Sequence, residues 1–159
     1  DNVETLHDGL RMMGAGMVIE TVDAIIAGTV KPIPQSEMLT AGEKPTPAPK
    51  IFKDTCRIDW NWCAEKVYNH VRGLSPYPAA WTEIVDAVGK VYAVKIFETG
   101  EPEAPSANLV PGTLTTDGKR LWVACADAKI EILSLQMAGK RRMPTADFLR
   151  GFNIEGCHC

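Results

Sequence analysis

The sequence predicts an α+β fold, a small antiparallel β-barrel of the OB type with flanking helices, on three observations. Apolar residues recur every three to four positions near the start but every second position beyond Trp81, and a proline-rich stretch lies between the helical start and the second compact segment. The strands are short and separated by turn signals. Helical patterns occur only before and after them, which suits a closed barrel better than an open sheet, with a sandwich as the alternative.

Taken in order, residues 4–27 place Leu6, Leu10, Met13 and Met17, then Val18, Val22, Ile25 and Ile26, at helical spacing, with Gly14 and Gly16 between the sets. Two helices, or one broken helix, would carry an apolar stripe that the short stretch before the linker cannot cover. Residues 1–30 therefore read as a helical remnant of another domain. Pro32, Pro34, Pro45, Pro47 and Pro49 make residues 31–50 an extended linker.

A second compact unit, residues 51–159, opens with a helix carrying Ala64, Val67, Val71 and Leu74 on one face, Asn61 being its expected N-cap. Strands follow at Trp81 to Val85 and Lys90 to Phe97, the latter alternating through Tyr92, Val94 and Ile96. Asp117-Gly118 supplies a tight turn between Gly112 to Thr116 and Lys119 to Cys125. Another strand runs from Ala128 to Leu135. A last helix, Thr145 to Phe152, is expected to be capped by Thr145 and to pack Phe148 and Leu149 on the barrel.

Composition limits the functional classes. The 159 residues suffice for one domain, or one domain with part of a neighbour, and 45% hydrophobic content is ordinary for a globular chain. No apolar run approaches the roughly 20 residues of a membrane span, and the acidic start lacks a secretion signal, so a cytoplasmic protein with no membrane partner is expected. The absence of an initiating Met, with a helical pattern from the first residues, predicts a piece of a longer protein. Five cysteines show no paired CxxC spacing, which favours reduced thiols. The Cys157-His158-Cys159 cluster has no second ligand pair, so no metal is expected. Residues 1–49 hold three Lys/Arg against seven Asp/Glu, residues 50–159 fourteen against thirteen. Any nucleic-acid contact must then come from a local patch rather than from net charge.

Four segments carry a resemblance: Thr5 to Pro32; Pro49 to Trp60, ending Arg57-Ile58-Asp59-Trp60; Ser75 to Trp81; and Ser134 to Met143, which contains Leu135-Gln136-Met137-Ala138-Gly139-Lys140-Arg141-Arg142-Met143. Together they resemble the C-terminal portion of the methionyl-tRNA formyltransferase family. The second and third are similar to sugar-nucleotide formyltransferases and formyltetrahydrofolate dehydrogenase as well; the fourth points to the tRNA-directed branch. The resemblance implies a Rossmann-like N-terminal catalytic domain, missing here, whose tail is residues 1–30, and a C-terminal barrel that helps hold initiator methionyl-tRNA. It also implies 10-formyltetrahydrofolate as the donor to the methionyl amine, through a tetrahedral oxyanion. No cofactor-binding residue is expected within this segment. Neither the family's Gly-rich strand-to-helix turn nor its catalytic His-containing run is present, so the segment should not transfer a formyl group. His7, His70 and His158 are scattered, and no Ser or Cys is paired with a base.

Lys140, Arg141 and Arg142 follow a strand beside Gly139, where adjacent cations can face one phosphate backbone or simply form a solvated turn. Lys50 and Lys53 lie where linker meets barrel, on the path the resemblance implies for tRNA; ordinary linker solubility is their other reading. Lys90, Lys95, Lys119 and Arg120 are weaker candidates, Lys95 serving equally as the wet face of a half-buried strand. Trp60 and Trp81 are expected to be structural, and Trp122 is the one indole worth testing for base stacking. Asp59 invites a catalytic reading but is expected to be structural, as a cap or a partner for nearby backbone N–H groups. A purely structural barrel, or the equivalent piece of a sugar-nucleotide formyltransferase, are the alternative functions.

Overall fold

The computed structural model describes residues 1–40 and 42–159. The chain divides into two compact units, Thr5–Ile51 and Asp1–Glu4 together with Phe52–Cys159.

Helix α1, Val3–Ile26, is a single helix and not two. Gly14 and Gly16 each cost about 1 kcal/mol of helix propensity relative to Ala, which lowers stability without interrupting the hydrogen-bond ladder. Gly28, at φ +69°, ends it: Gly28 N donates to Ile25 O and Thr29 N to Ala24 O, the paired bonds of a left-handed cap. No residue of α1 is buried, and from Leu6 on its large apolar side chains range from 46% exposed at Val22 to 80% at Ile26. The described residues that follow are nearly all exposed and include a 3-10 turn, Gln35–Glu37.

The larger unit begins with a 3-10 turn, Asp54–Cys56, and helix α2, Ala64–Leu74, whose buried face is Ala64, Val67, Val71 and Leu74 as the spacing predicts. Its cap differs from the expectation. Cys63 occupies the N-cap without a side-chain bond, and the carboxylate of Asp127 accepts from Ala64 N at 2.8 Å. Asn61 instead donates, through backbone N and Nδ2, to Asp59 Oδ1, which fulfils the backbone-binding role expected of Asp59.

Strands β1 (Ala80–Val85), β2 (Val91–Thr99), β3 (Leu114–Thr116), β4 (Leu121–Ala124), β5 (Lys129–Met137) and β6 (Met143–Pro144) form one antiparallel sheet in the order β1-β2-β5-β4-β3, with β6 on β5. Alternation sets the inner face: Val94 and Ile96 of β2 pair with Thr82 and Ala80 of β1 and with Met137 and Leu135 of β5. Between β2 and β5 the register slips twice from Ile96 to Thr99, so Phe97 has no partner residue; such bulges curl a sheet. The result is an OB-like half-barrel over a core that includes Val67, Val71, Leu121, Ile130, Ile132 and Leu135. Asp117-Gly118 turns the β3–β4 hairpin with Gly118 at φ +92°.

Helix α3, Thr145–Gly151, buries Phe148, but Thr145 is not its cap. Its hydroxyl donates to Ile132 O at 2.5 Å, tying the helix to β5. The edges of β1 and β3 do not pair with each other. The tail spans them: Val85 N donates to His158 O at 2.7 Å, His158 N to Val85 O at 3.0 Å and Cys159 N to Gly112 O at 2.9 Å. A Cβ on Gly112, at φ +83°, would lie 2.5 Å from Cys159 O, so this approach requires glycine.

Candidate nucleic-acid interface

The turn between β5 and β6 places Lys140, Arg141 and Arg142 at the surface. Gly139 takes φ +75°, Lys140 N donates to Met137 O at 3.0 Å, and Gln136 Nε2 donates to Lys140 O at 2.7 Å, so the turn is anchored at its base. The three cations are not equivalent. Arg142 Nε donates to Ser134 Oγ at 2.8 Å, its guanidinium lies 4.6 Å over the Phe97 ring, and it reaches Glu98 at 3.9 Å. Lys140 and Arg141 carry no acidic partner among the described residues.

The sheet register extends this turn into a row. Trp81 of β1 stands opposite Lys95 of β2, and Lys95 opposite Gln136 of β5, so the three share the outer face. Lys95 is exposed and donates to Pro78 O at 3.3 Å. Trp81 Nε1 donates to Lys53 O at 2.8 Å, while Lys53 Nζ and Arg57 Cζ lie 5.2 and 5.3 Å from the indole centroid. The ring thus holds two cations beside it by cation–π attraction, consistent with a structural Trp81. Arg57 is half committed, donating to Glu83 at 2.6 Å. Lys95 is a weak candidate in sequence and Arg57 figures only within its motif; the pairing of β1, β2 and β5 brings them into line with Lys53 and Lys140. Lys50 belongs to the other unit and is exposed there.

The far half of the sheet differs. Arg120 binds Glu131 through two of its three guanidinium nitrogens, Nε at 2.8 Å and Nη2 at 2.5 Å, and lies 4.7 Å over the Trp122 ring. Trp122 is half-buried with Arg120 on a ring face that a stacked base would need. Lys129 donates to Thr115 Oγ1 at 3.4 Å, and at the start of β2, in the near half, Lys90 is likewise engaged, 5.0 Å over the Tyr92 ring.

His70 packs edge-on against Trp62 and burial lowers its pKa, favouring neutral imidazole. Burial pushes the Cys125 and Cys159 thiols up to about 12, which leaves them protonated at neutral pH and poor nucleophiles. An open cleft of about 510 Å³ is lined by Asp54, Arg57, Asp59, Trp60, Trp62 and Cys159 among others. Its two carboxylates disfavour an anionic ligand.

Residues 50–153 match the family described as formyl transferase, C-terminal domain. The chain belongs to that family. It is 55% identical over 155 residues to the methionyl-tRNA formyltransferase of Bacteroides fragilis, covering 97% of this chain and 47% of the relative. Identity to the protein of the same name from Bacteroides thetaiotaomicron is 52%, over 97% of the chain and 48% of the relative, and to that of Porphyromonas gingivalis 41%, over 94% and 46%. The chain therefore spans about half the length of these relatives. A solved structure of a HypX variant from Aquifex aeolicus superposes with TM-score 0.54 at 22% identity, covering 87% of this chain and 24% of that one, a likeness of fold. Within this formyl transferase C-terminal domain, Lys50, Lys53 and Lys140 to Arg142 all fall inside the matched residues, whereas the tail that spans β1 and β3 follows them. Among the described residues, no helix is long and apolar enough to cross a membrane.

Proposed function

We propose that the chain is the C-terminal part of a methionyl-tRNA formyltransferase and helps bind and orient initiator methionyl-tRNA by contacting its phosphate backbone. The observation that carries the reading is the row Lys53–Trp81–Lys95–Gln136–Lys140, ending on Lys140 and Arg141 without acidic partners, in a chain about half identical to relatives of that name. Cations on a rigid sheet face meet phosphates without ordering a flexible loop first, and such contacts are sequence-independent. Lys53, Lys140 and Arg141 are assigned as phosphate contacts, with Arg142 a lesser one because Ser134, Glu98 and Phe97 already engage it. Lys50 is assigned to the same role from the other unit.

Formyl transfer from 10-formyltetrahydrofolate to the methionyl amine is assigned to the preceding half of the full protein. The donor is anionic, and the cleft bearing Asp54 and Asp59 suits it poorly. The same half is proposed to cover α1, whose apolar residues are exposed on several sides, as expected of a helix that belongs inside a larger core. Arg142 supports a second, scaffolding reading of its own position, since its contacts are internal.

The test is steady-state kinetics of the full-length enzyme carrying Lys140→Glu and Arg141→Glu. The expected result is a KM for methionyl-tRNA raised at least about tenfold with kcat within about twofold, the pattern of lost uniform binding. An unchanged KM would leave the barrel as scaffold.

A further inference from the structure

We propose that Cys63 and Cys125 form a redox-active thiol pair that closes to a disulfide when a small-molecule disulfide is present. Two contacts fix their surroundings together: Ala126 N donates to Trp62 O at 3.1 Å, and Asp127 Oδ1 accepts from Ala64 N at 2.8 Å. Cys63 thus lies between two residues tied to the loop after β4, and Cys125 directly precedes that loop's first tied residue. Burial above all, then Asp127 and Cys63, raise the pKa of the Cys125 thiol. The two thiols differ in access: Cys63 is exposed, Cys125 fully buried. An exposed cysteine beside a buried one can be attacked from solvent and then resolved from within.

With oxidised glutathione as oxidant, the Cys63 thiolate attacks one of its sulfurs, forming a mixed disulfide and releasing one glutathione. The Cys125 thiol then attacks the Cys63 sulfur and passes its proton to the departing thiolate, which leaves as the second glutathione. The two cysteines lose two electrons and two protons between them, and glutathione disulfide gains them. The first step belongs to Cys63, because the protonated, buried Cys125 cannot meet the oxidant. The bond would tie the start of α2 to the β4–β5 hairpin, enclosing α2 and β1 to β4 in one covalent ring. Lys140 sits past the other end of β5, about 25 Å away along the strand at ~3.3 Å per residue. Closure should therefore raise the thermal midpoint and leave RNA affinity within about twofold.

The native chain is incubated with oxidised glutathione, alkylated and mapped by peptide mass spectrometry. The expected product links Cys63 to Cys125 and leaves the other three of the five cysteines alkylated. In Cys63→Ser no disulfide should form; in Cys125→Ala glutathione should remain on Cys63. Glutathione persisting on Cys63 of the unsubstituted chain, an unreacted Cys63, or a bond joining any other pair would overturn the proposal.

Discussion

Arg120 and Arg141 are both exposed guanidinium groups bordering the same sheet, yet their surroundings assign them opposite work. Glu131 accepts from the Nε–Nη2 edge of Arg120, and the Trp122 ring takes one face. Arg141 stands on an anchored turn with no carboxylate against it among the described residues, continuous with Lys140 and Lys95. Local charge is similar; unspent charge is not. A cation already satisfied in a bidentate pair gains little by meeting a phosphate, since it must first give up its partner. On the proposed function, a chain of net charge −3 would thus meet nucleic acid on one half of a sheet alone.

The contrast can be broken most strongly from the unspent side. Reversing Lys95, Lys140 and Arg141 to Glu together should weaken tRNA binding by more than about tenfold at low salt, and lower the log–log salt slope by about 1 per cation, measured by fluorescence titration. A smaller effect is expected on freeing a spent cation. Glu131→Gln releases Arg120 and should strengthen tRNA binding slightly, about twofold, with a steeper salt slope; no gain would mean that Trp122 alone keeps Arg120 from phosphate. Arg120→Ala should leave RNA affinity unchanged and barely move the midpoint of chemical denaturation, as expected of an exposed ion pair. The smallest effect concerns stability rather than binding. Burial lowers the pKa of His70, so the unfolded chain takes up its proton first as pH falls below the ordinary 6.5. Stability contributed by neutral His70 is thus complete above 6.5 and lost as pH drops toward its folded value. The thermal midpoint should decline across that window, and His70→Gln should flatten the decline.

Much of the fold was legible in local pattern. The alternation Tyr92, Val94, Ile96 gave β2, Asp117-Gly118 gave the β3–β4 turn, and the spacing of Val67, Val71 and Leu74 gave the buried face of α2. Each of these is set by residues within one or two turns of chain. What escaped depends on distant partners. Asp127 caps α2 from sixty-three positions away, Thr145 spends its hydroxyl on Ile132, and the Cys157–Cys159 tail spans β1 and β3 through backbone bonds that no side chain announces. Gly14 and Gly16 marked a break that the helix does not take.

The candidate site divides the same way. Consecutive Lys140, Arg141 and Arg142 are visible as a run, but their inequality is not: Phe97, Ser134 and Glu98 draw Arg142 inward, and those contacts arise from the β2–β5 pairing and its bulge. Arg57 and Lys95 join the row for the same reason, through the register of strands far apart in sequence.

The central claim, that unspent cations on the β1-β2-β5 face hold RNA phosphate, is tested most directly by titrating this chain with tRNA at several salt concentrations. The account predicts that log affinity falls linearly with log salt, with a slope near 0.9 for each phosphate contacted, and that the Lys95, Lys140 and Arg141 reversal removes most of it. Affinity that ignores salt, or a slope the reversal leaves intact, would contradict it.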